Sequence, residues 1–449
     1  MKKLFLFSFL IVLLQGVAVA QSCLPEGITF ATQDSVDSFA AENPGCTVII
    51  GDVIIEGDEI TSLEGLSVLT GIEGDLLIIG TDSIASLSGL NNLGSIGGFL
   101  WISSNPFLTS LSGLESLTTV DKFLSIYQND TLNNLTGLEA LTTVEDGIWI
   151  RENAQLTSLD GLQGLNYIGN ELWIKSNPWL VSLSGLENLE WVGGFLSIWD
   201  NDSLASLNGL FQLSLGNNLN IGENDKLLEF GNLSILGIGG NLYISNNDTL
   251  TSLEGLFFDT SITIMGSINI SDNKELNSIE ALAPVYSISG ELRLENNAVL
   301  TSLTGIENIY PYSISALYLQ NSVLLATCAL PNICTYLGEN MGPATISNNA
   351  LGCNSRDEVD EACGITSVNE FILESISLYP NPASEQFSIT DPNNVIQKTE
   401  IISSQGRVIH VFEKDFSNIS ISDFSPGLYF IRIYNDSGLL LKTEKLVIR

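Results

Sequence analysis

Eight aromatic residues have the type and spacing to do chemistry: Phe99, Trp101, Phe123, Tyr127, Trp149, Trp173, Phe195 and Trp199. Their numbers differ by multiples of 24 along three rows: Phe99, Phe123 and Phe195; Trp101, Trp149 and Trp173; Tyr127 and Trp199. Such rings stack on the apolar faces of sugars and act as rigid anchors in protein contacts, so the chemistry on offer is recognition. Bond-making chemistry would fall to carboxylates. Glu171, Glu291 and Glu295 are expected to point outward on strands, where a pair could hydrolyse a glycosidic bond. However, Glu171 stands alone among the rings, and Glu291 and Glu295 flank Arg293 like a surface charge row. The sequence around them is also regular, whereas a catalytic site breaks the pattern it sits on. The one histidine, His410, is far toward the C-terminus, which removes imidazole bases and histidine metal sites from most of the chain. We therefore expect no enzyme activity, no catalytic residue, no metal and no cofactor.

At 449 residues, with 44% hydrophobic and 15% charged, the chain can build a large core and is too weakly charged for disorder. Acids outnumber bases 52 to 16, a net charge of −36 that repels phosphate backbones, so nucleic acid is not an expected partner. Residues 1–20 read as a signal peptide: Lys2 and Lys3, an apolar run from Leu4 to Leu14, and Ala18-Val19-Ala20 before cleavage at Gln21. No later run is long and apolar enough to span a bilayer, so no transmembrane segment is expected in the mature chain. Export places the six cysteines in an oxidising setting, where they suggest disulfide-bearing caps at 21–50 (Cys23, Cys46) and 326–364 (Cys328, Cys334, Cys353, Cys363). Cys23–Cys46 is the one local pairing. The other four leave three connectivities open.

The elements that must hold the rings are themselves repeated. Ser62-Leu63-Glu64-Gly65-Leu66 recurs from Ser86, Ser110, Asn134, Ser158, Ser182 and Ser206 at steps of 24, then less evenly from Ser252, Ser278 and Ser302. Self-similarity at this period means stacked coils. Within each unit lies an alternating stretch such as Phe99-Leu100-Trp101-Ile102, with Leu100 and Ile102 facing one way and the rings the other. Twelve such strands, from Val53 to Leu317, would stack at about 4.8 Å into one parallel sheet roughly 55 Å long. Five residues after each strand leucine stands an asparagine: Asn105, Asn129, Asn153, Asn177, Asn201, Asn224, Asn247, Asn273 and Asn297. Backbone groups at the turn would be buried between coils, and a carboxamide both donates and accepts. The row is therefore a structural ladder, not a catalytic one.

The pattern Leu-x-Ile-x-x-Asn-x-x-Leu-x-Ser-Leu-x-Gly-Leu resembles a leucine-rich repeat, and more closely the receptor L-domain. Over residues 51–325 the resemblance implies a mainly β fold, a right-handed parallel β-solenoid. The chain departs from the paired-lobe receptor design by running as one array without a cysteine-rich spacer, so no ligand residues are carried over. After a linker at 365–375, residues 376–449 read as short strands and turns. Pro380, Asn381, Pro382, Gly406, Gly427 and Tyr429 fall in an order and spacing that resemble the type A C-terminal sorting domain of the type IX secretion system of Bacteroidota. That resemblance implies a small β-sandwich, recognition by the secretion machinery and proteolytic removal. It implies a mature protein released or held at the outer membrane and cell surface. Asp-Ser/Thr-aliphatic triplets at Asp82, Asp130, Asp202 and Asp248 resemble O-glycosylation sites, and the turn oxygens of Asp130, Asp202, Asp225 and Asp248 could suit calcium, although no calcium-loop motif is present. The expectation is a secreted or cell-surface binding or adhesion protein whose solenoid sheet presents the rings to a glycan or protein. The alternatives are a polysaccharide-active enzyme on the solenoid, or a purely structural envelope or matrix protein.

Overall fold

A computed structural model describes residues 21–258, 261–365, 375–391, 394–413, 416–435 and 440–449. The expected signal peptide and most of the expected linker lie outside the described residues. The chain divides into two units, one ending at Arg356 and one starting at Asp357.

The first unit is a stack of coils. In the coil that begins near Gly98, Leu100 and Ile102 of the strand Leu100–Ser103 point inward, followed by Leu108, Leu111, Leu114, Leu117 and Val120, all fully buried. A single coil cannot cover this stripe, whereas a neighbour on each side can, at about 1.5–3 kcal/mol per buried side chain. Most coils contribute two strands, while those of Ala316–Gln320 and Ala344–Ser347 contribute one. The longer strands form a parallel sheet of fourteen, from Ile28–Phe30 to Ala344–Ser347, and the shorter ones a second sheet of thirteen. Fourteen strands at about 4.8 Å extend the long sheet to roughly 62 Å.

The sequence pattern suggests twelve strands in one sheet. The long sheet gains its outer members because Ile28–Phe30 pairs with Val53–Ile55, and Ala344–Ser347 with Leu317–Gln320, although neither carries the repeat motif. The second sheet escapes detection because pieces such as Thr119–Val120 and Thr143–Val144 are too short to show alternation. The helix Gln33–Glu42, with Thr32 accepting from Ser35 N at its start, covers the first coils. Cys23–Cys46 joins two paired strands of the short sheet, and of the open pairings Cys328–Cys353 is present, each with Cα atoms 5.6 Å apart. No described cysteine is free.

Two backbone devices turn each coil. Leaving the long strand, one residue adopts left-handed φ: Ser104 (56°), Gln128 (53°), Glu152 (56°), Ser176 (55°) and Asp200 (59°) in successive coils. This rotation points the next residue, the ladder asparagine, into the core. Asn177 Oδ1 accepts from Asn153 N (3.1 Å), while Asn177 Nδ2 donates to Ile150 O (2.9 Å) and to Asn201 Oδ1 (3.3 Å). The same exchange runs through coils of 23 and 26 residues without a break. Thr81 caps one end and Ser322 with Asn349 the other, members that an asparagine pattern does not reveal. At the far corner, Gly137 has φ 116°, and a Cβ there would lie 2.2 Å from Leu111 O of the preceding coil, so this turn admits glycine alone. Glu139 accepts from Gly137 N (2.9 Å), and Glu115, Gln163 and Glu187 do the same for their glycines, which puts part of the acid surplus to structural use.

In the second unit, Val408–Phe412, Lys398–Ser403, Gly427–Tyr434 and Leu440–Ile448 form one antiparallel sheet, and Leu378–Tyr379, Gln386–Ile389 and Ile419–Ser420 another. Phe387, Ile401, Ile431 and Leu446 lie in the core of this unit.

Candidate functional site

The eight rings lie on the outer surface of the long sheet, where the strand's period of two sends them. Parallel register stacks equivalent residues of successive coils. A central column reads Trp101, Ser125, Trp149, Trp173, Ser197. Beside it runs Ser103, Tyr127, Arg151, Lys175, Trp199. On the other side are Phe99, Phe123, Gly147, Glu171 and Phe195. All eight rings are half-buried.

Their shared burial has a specific origin. Phe99 stacks on Phe123 with centroids 5.9 Å apart, Phe123 tilts onto Trp149 at 5.0 Å, and Trp173 meets Phe195 edge-on at 5.4 Å. Small residues leave room for rings of adjacent coils. A Cβ on Gly147 would lie 2.6 Å from Phe123 Cε1, and one on Gly222 2.3 Å from Trp199 Cζ3. Ser125 and Ser197 are buried among the rings at 3% exposure. The result is a layer of rings over the sheet, with three cations in it. Arg151 lies 4.8 Å from the Trp149 centroid and 5.3 Å from that of Tyr127, and Lys122 Nζ lies 5.1 Å from Phe99. Lys175 is in register with Arg151.

The outward carboxylates have partners. Glu171 Oε1 accepts from Trp149 Nε1 at 2.7 Å, while Glu291 and Glu295 each pair with Arg293 at 3.0 Å. Partial burial lowers the Arg293 pKa, but the hydrogen bonds it donates to both glutamates outweigh this and raise it overall. The Arg293 guanidinium also lies 3.8 Å from the Tyr318 ring centroid. Among the described residues no group of three or more His, Cys, Asp or Glu is arranged to hold a metal ion. The triplet hydroxyls bind the preceding coil: Thr131 Oγ1 donates to Pro106 O (2.8 Å), Thr249 to Asp225 O (2.7 Å) and Ser83 to Asp58 O (2.8 Å).

More exposed aromatics occur away from this layer. Trp179 (60%) and Phe107 (59%) follow Asn-Pro at the ladder turn, and Tyr286, Tyr310 and Tyr312 form a stacked group near the last coils. Sequence reasoning passes over them because it follows the outward positions of the strands alone, although Phe107 and Trp179 lie 72 residues apart and Tyr286 and Tyr310 lie 24 apart. A scan for single large apolar residues at turn positions would have found Phe107 and Trp179.

In the second unit, the residues of the sorting pattern have local tasks. Asn381 Oδ1 accepts from Val447 N (3.0 Å), pinning the Pro-Asn-Pro turn to the last strand. Gly406 supplies φ 80° between two strands, and Tyr429 Oη donates to Ser425 O (2.9 Å) beside Gly427.

Residues 377–449 match the family described as the secretion system C-terminal sorting domain. The sorting tail implies engagement with the type IX machinery and marks the chain as secreted or cell-surface. No described helix is long and apolar enough to cross a membrane. The chain matches no curated protein and no solved structure.

Proposed function

We propose that the solenoid is a non-enzymatic binding or adhesion module, which presents its aromatic layer to a glycan or a protein outside the cell. On this reading a signal peptide and the sorting tail are both removed on the way. The observation that carries it is the eight-ring layer itself: half-buried rings on five adjacent strands of one parallel sheet, in a body otherwise rich in acids. Large rings held at a surface mark contact sites, and a preformed face loses little conformational entropy on binding. The commitment of Glu171 to Trp149, and of Glu291 and Glu295 to Arg293, supports recognition over hydrolysis.

Ring-on-ring contact favours a second reading, in which the layer stabilises the sheet of a purely structural envelope or matrix protein. The secreted protein and its Trp149→Ala/Trp173→Ala variant, screened on a panel of polysaccharides and cell-surface proteins, separate the two. Binding lost in a variant that still melts cooperatively supports a contact face. Unchanged binding, with a lower melting temperature, assigns the rings to structure.

A further inference from the structure

The charge distribution narrows the ligand, given that the aromatic layer is a binding face. Residues 21–225 contain 27 Asp and Glu but three Lys and Arg, namely Lys122, Arg151 and Lys175. All three come from three consecutive coils of the aromatic layer. Two cations elsewhere in the solenoid find carboxylates, Arg293 with Glu291 and Glu295 and Lys274 with Asp248. Arg151 and Lys175 do not: neither forms an ion pair among the described residues. They instead stand side by side in register, a like-charged juxtaposition that destabilises a bare sheet. Arg151 Nε is shielded from water and has no hydrogen-bond acceptor. Two turn carboxylates of these coils are engaged elsewhere, Glu152 with Gln128 Nε2 (3.0 Å) and Asp200 with Ser176 Oγ (2.5 Å). Two unpaired cations with Tyr127, Trp149 and Trp173 around them offer rings for sugar faces and a positive point for one anionic substituent.

We propose that Arg151 and Lys175 bind the carboxylate or sulfate of an acidic saccharide whose neighbouring neutral sugars stack on the rings beside them. The rest of the solenoid sets a limit on the charge density of that saccharide. Residues 21–365 hold 42 acids and seven bases, so a dense polyanion meets repulsion wherever it leaves the cationic pair. At physiological salt, screening over about 8 Å confines the attraction to the pair itself. The preferred ligand therefore carries isolated acid groups among neutral sugars.

The test uses the full secreted protein on a glycan array with matched neutral, singly uronated, singly sulfated and densely anionic members, in parallel with Arg151→Gln/Lys175→Gln and Arg151→Lys. The expected result is preference for singly acidic members over neutral and densely anionic ones. The double variant should bind those members at least about tenfold more weakly while retaining any neutral binding, and Arg151→Lys should recover part of the loss. The uronated and sulfated arms identify the anion. Neutral glycans bound as well as acidic ones, or acidic binding untouched in the folded double variant, would overturn this inference and leave the aromatic face standing. Absence of binding to every saccharide would overturn both the acidic ligand and the glycan form of the binding reading.

Discussion

Asn177→Ala tests the claim that the ladder, and not leucine packing alone, holds the coils in register. Asn177 is fully buried, with no side-chain route to water. Removing its carboxamide strips the acceptor from Asn153 N (3.1 Å) and a donor from Ile150 O (2.9 Å), both backbone groups of the preceding coil. Asn153 Nδ2 keeps Ile126 O (3.0 Å) and Arg151 O (3.1 Å), so it is not orphaned. Asn153 N is left without an acceptor at about 1–3 kcal/mol, while Ile150 O, in register with Ile174, keeps its bond in the parallel sheet, so the predicted loss is roughly 1–3 kcal/mol. Gln155→Ala, an exposed truncation in the adjacent coil, should change stability by no more than about 0.5 kcal/mol. Asn177→Asp keeps the shape but loses the bonds donated by Nδ2 and buries a charge at neutral pH. It should be at least as damaging there, with partial relief in acid, where a protonated carboxyl can donate again. Urea unfolding of the full chain followed by far-UV circular dichroism reads all three. An Asn177→Ala midpoint indistinguishable from that of Gln155→Ala would refute the ladder argument, because it would mean that Asn153 N finds another partner.

Two further predictions concern the corner turns and the tail. Gly137→Ala should destabilise the chain by more than about 3 kcal/mol, since it adds a left-handed penalty to a clash 2.2 Å from Leu111 O. Gly94→Ala, whose Cβ would have no neighbour nearer than 3.6 Å, should stay within about 1 kcal/mol of the parent in the same melt. In the tail, a hydrogen bond from Lys398, aided by Tyr434 and opposed by burial, holds the Glu400 carboxyl below the ordinary carboxylate range. A lowered folded-state value means the stabilisation is present above the unfolded carboxylate range and lost as the pH falls through the folded one. Tail melting should therefore drop in acid, and Glu400→Gln should flatten that dependence; an unchanged acid limb in Glu400→Gln would assign it to other carboxylates.

The periodic features were legible because every coil solves the same local problem. Leu100, Ile102, Leu108, Leu111 and their counterparts must face inward, and Asn105 to Asn297 must pair between coils, so residue type repeats with the coil. The sorting pattern could be read for a related reason, since Pro380 and Gly406 serve turns and Gly427 opens a strand within one small unit. The ladder ends at Thr81 and Ser322 were hidden because a hydroxyl there serves in place of a carboxamide. Nor does any residue class mark the left-handed turn, since Ser104, Gln128, Glu152 and Asp200 all adopt it.

For the candidate site, the row of outward rings came from alternation alone, but their environment did not. That Phe123 leans over Gly147, that Trp199 covers Gly222, and that Ser125 is buried among rings all depend on residues about 24 positions away, brought together by stacking. The same stacking places Arg151 against Lys175 with no carboxylate paired to either, whereas Arg293 is held between two. Local periodicity settles which side chains face outward, since it follows from the strand's own geometry. Which of them are covered, paired or left available is decided between coils, because burial and charge pairing are properties of neighbours in space.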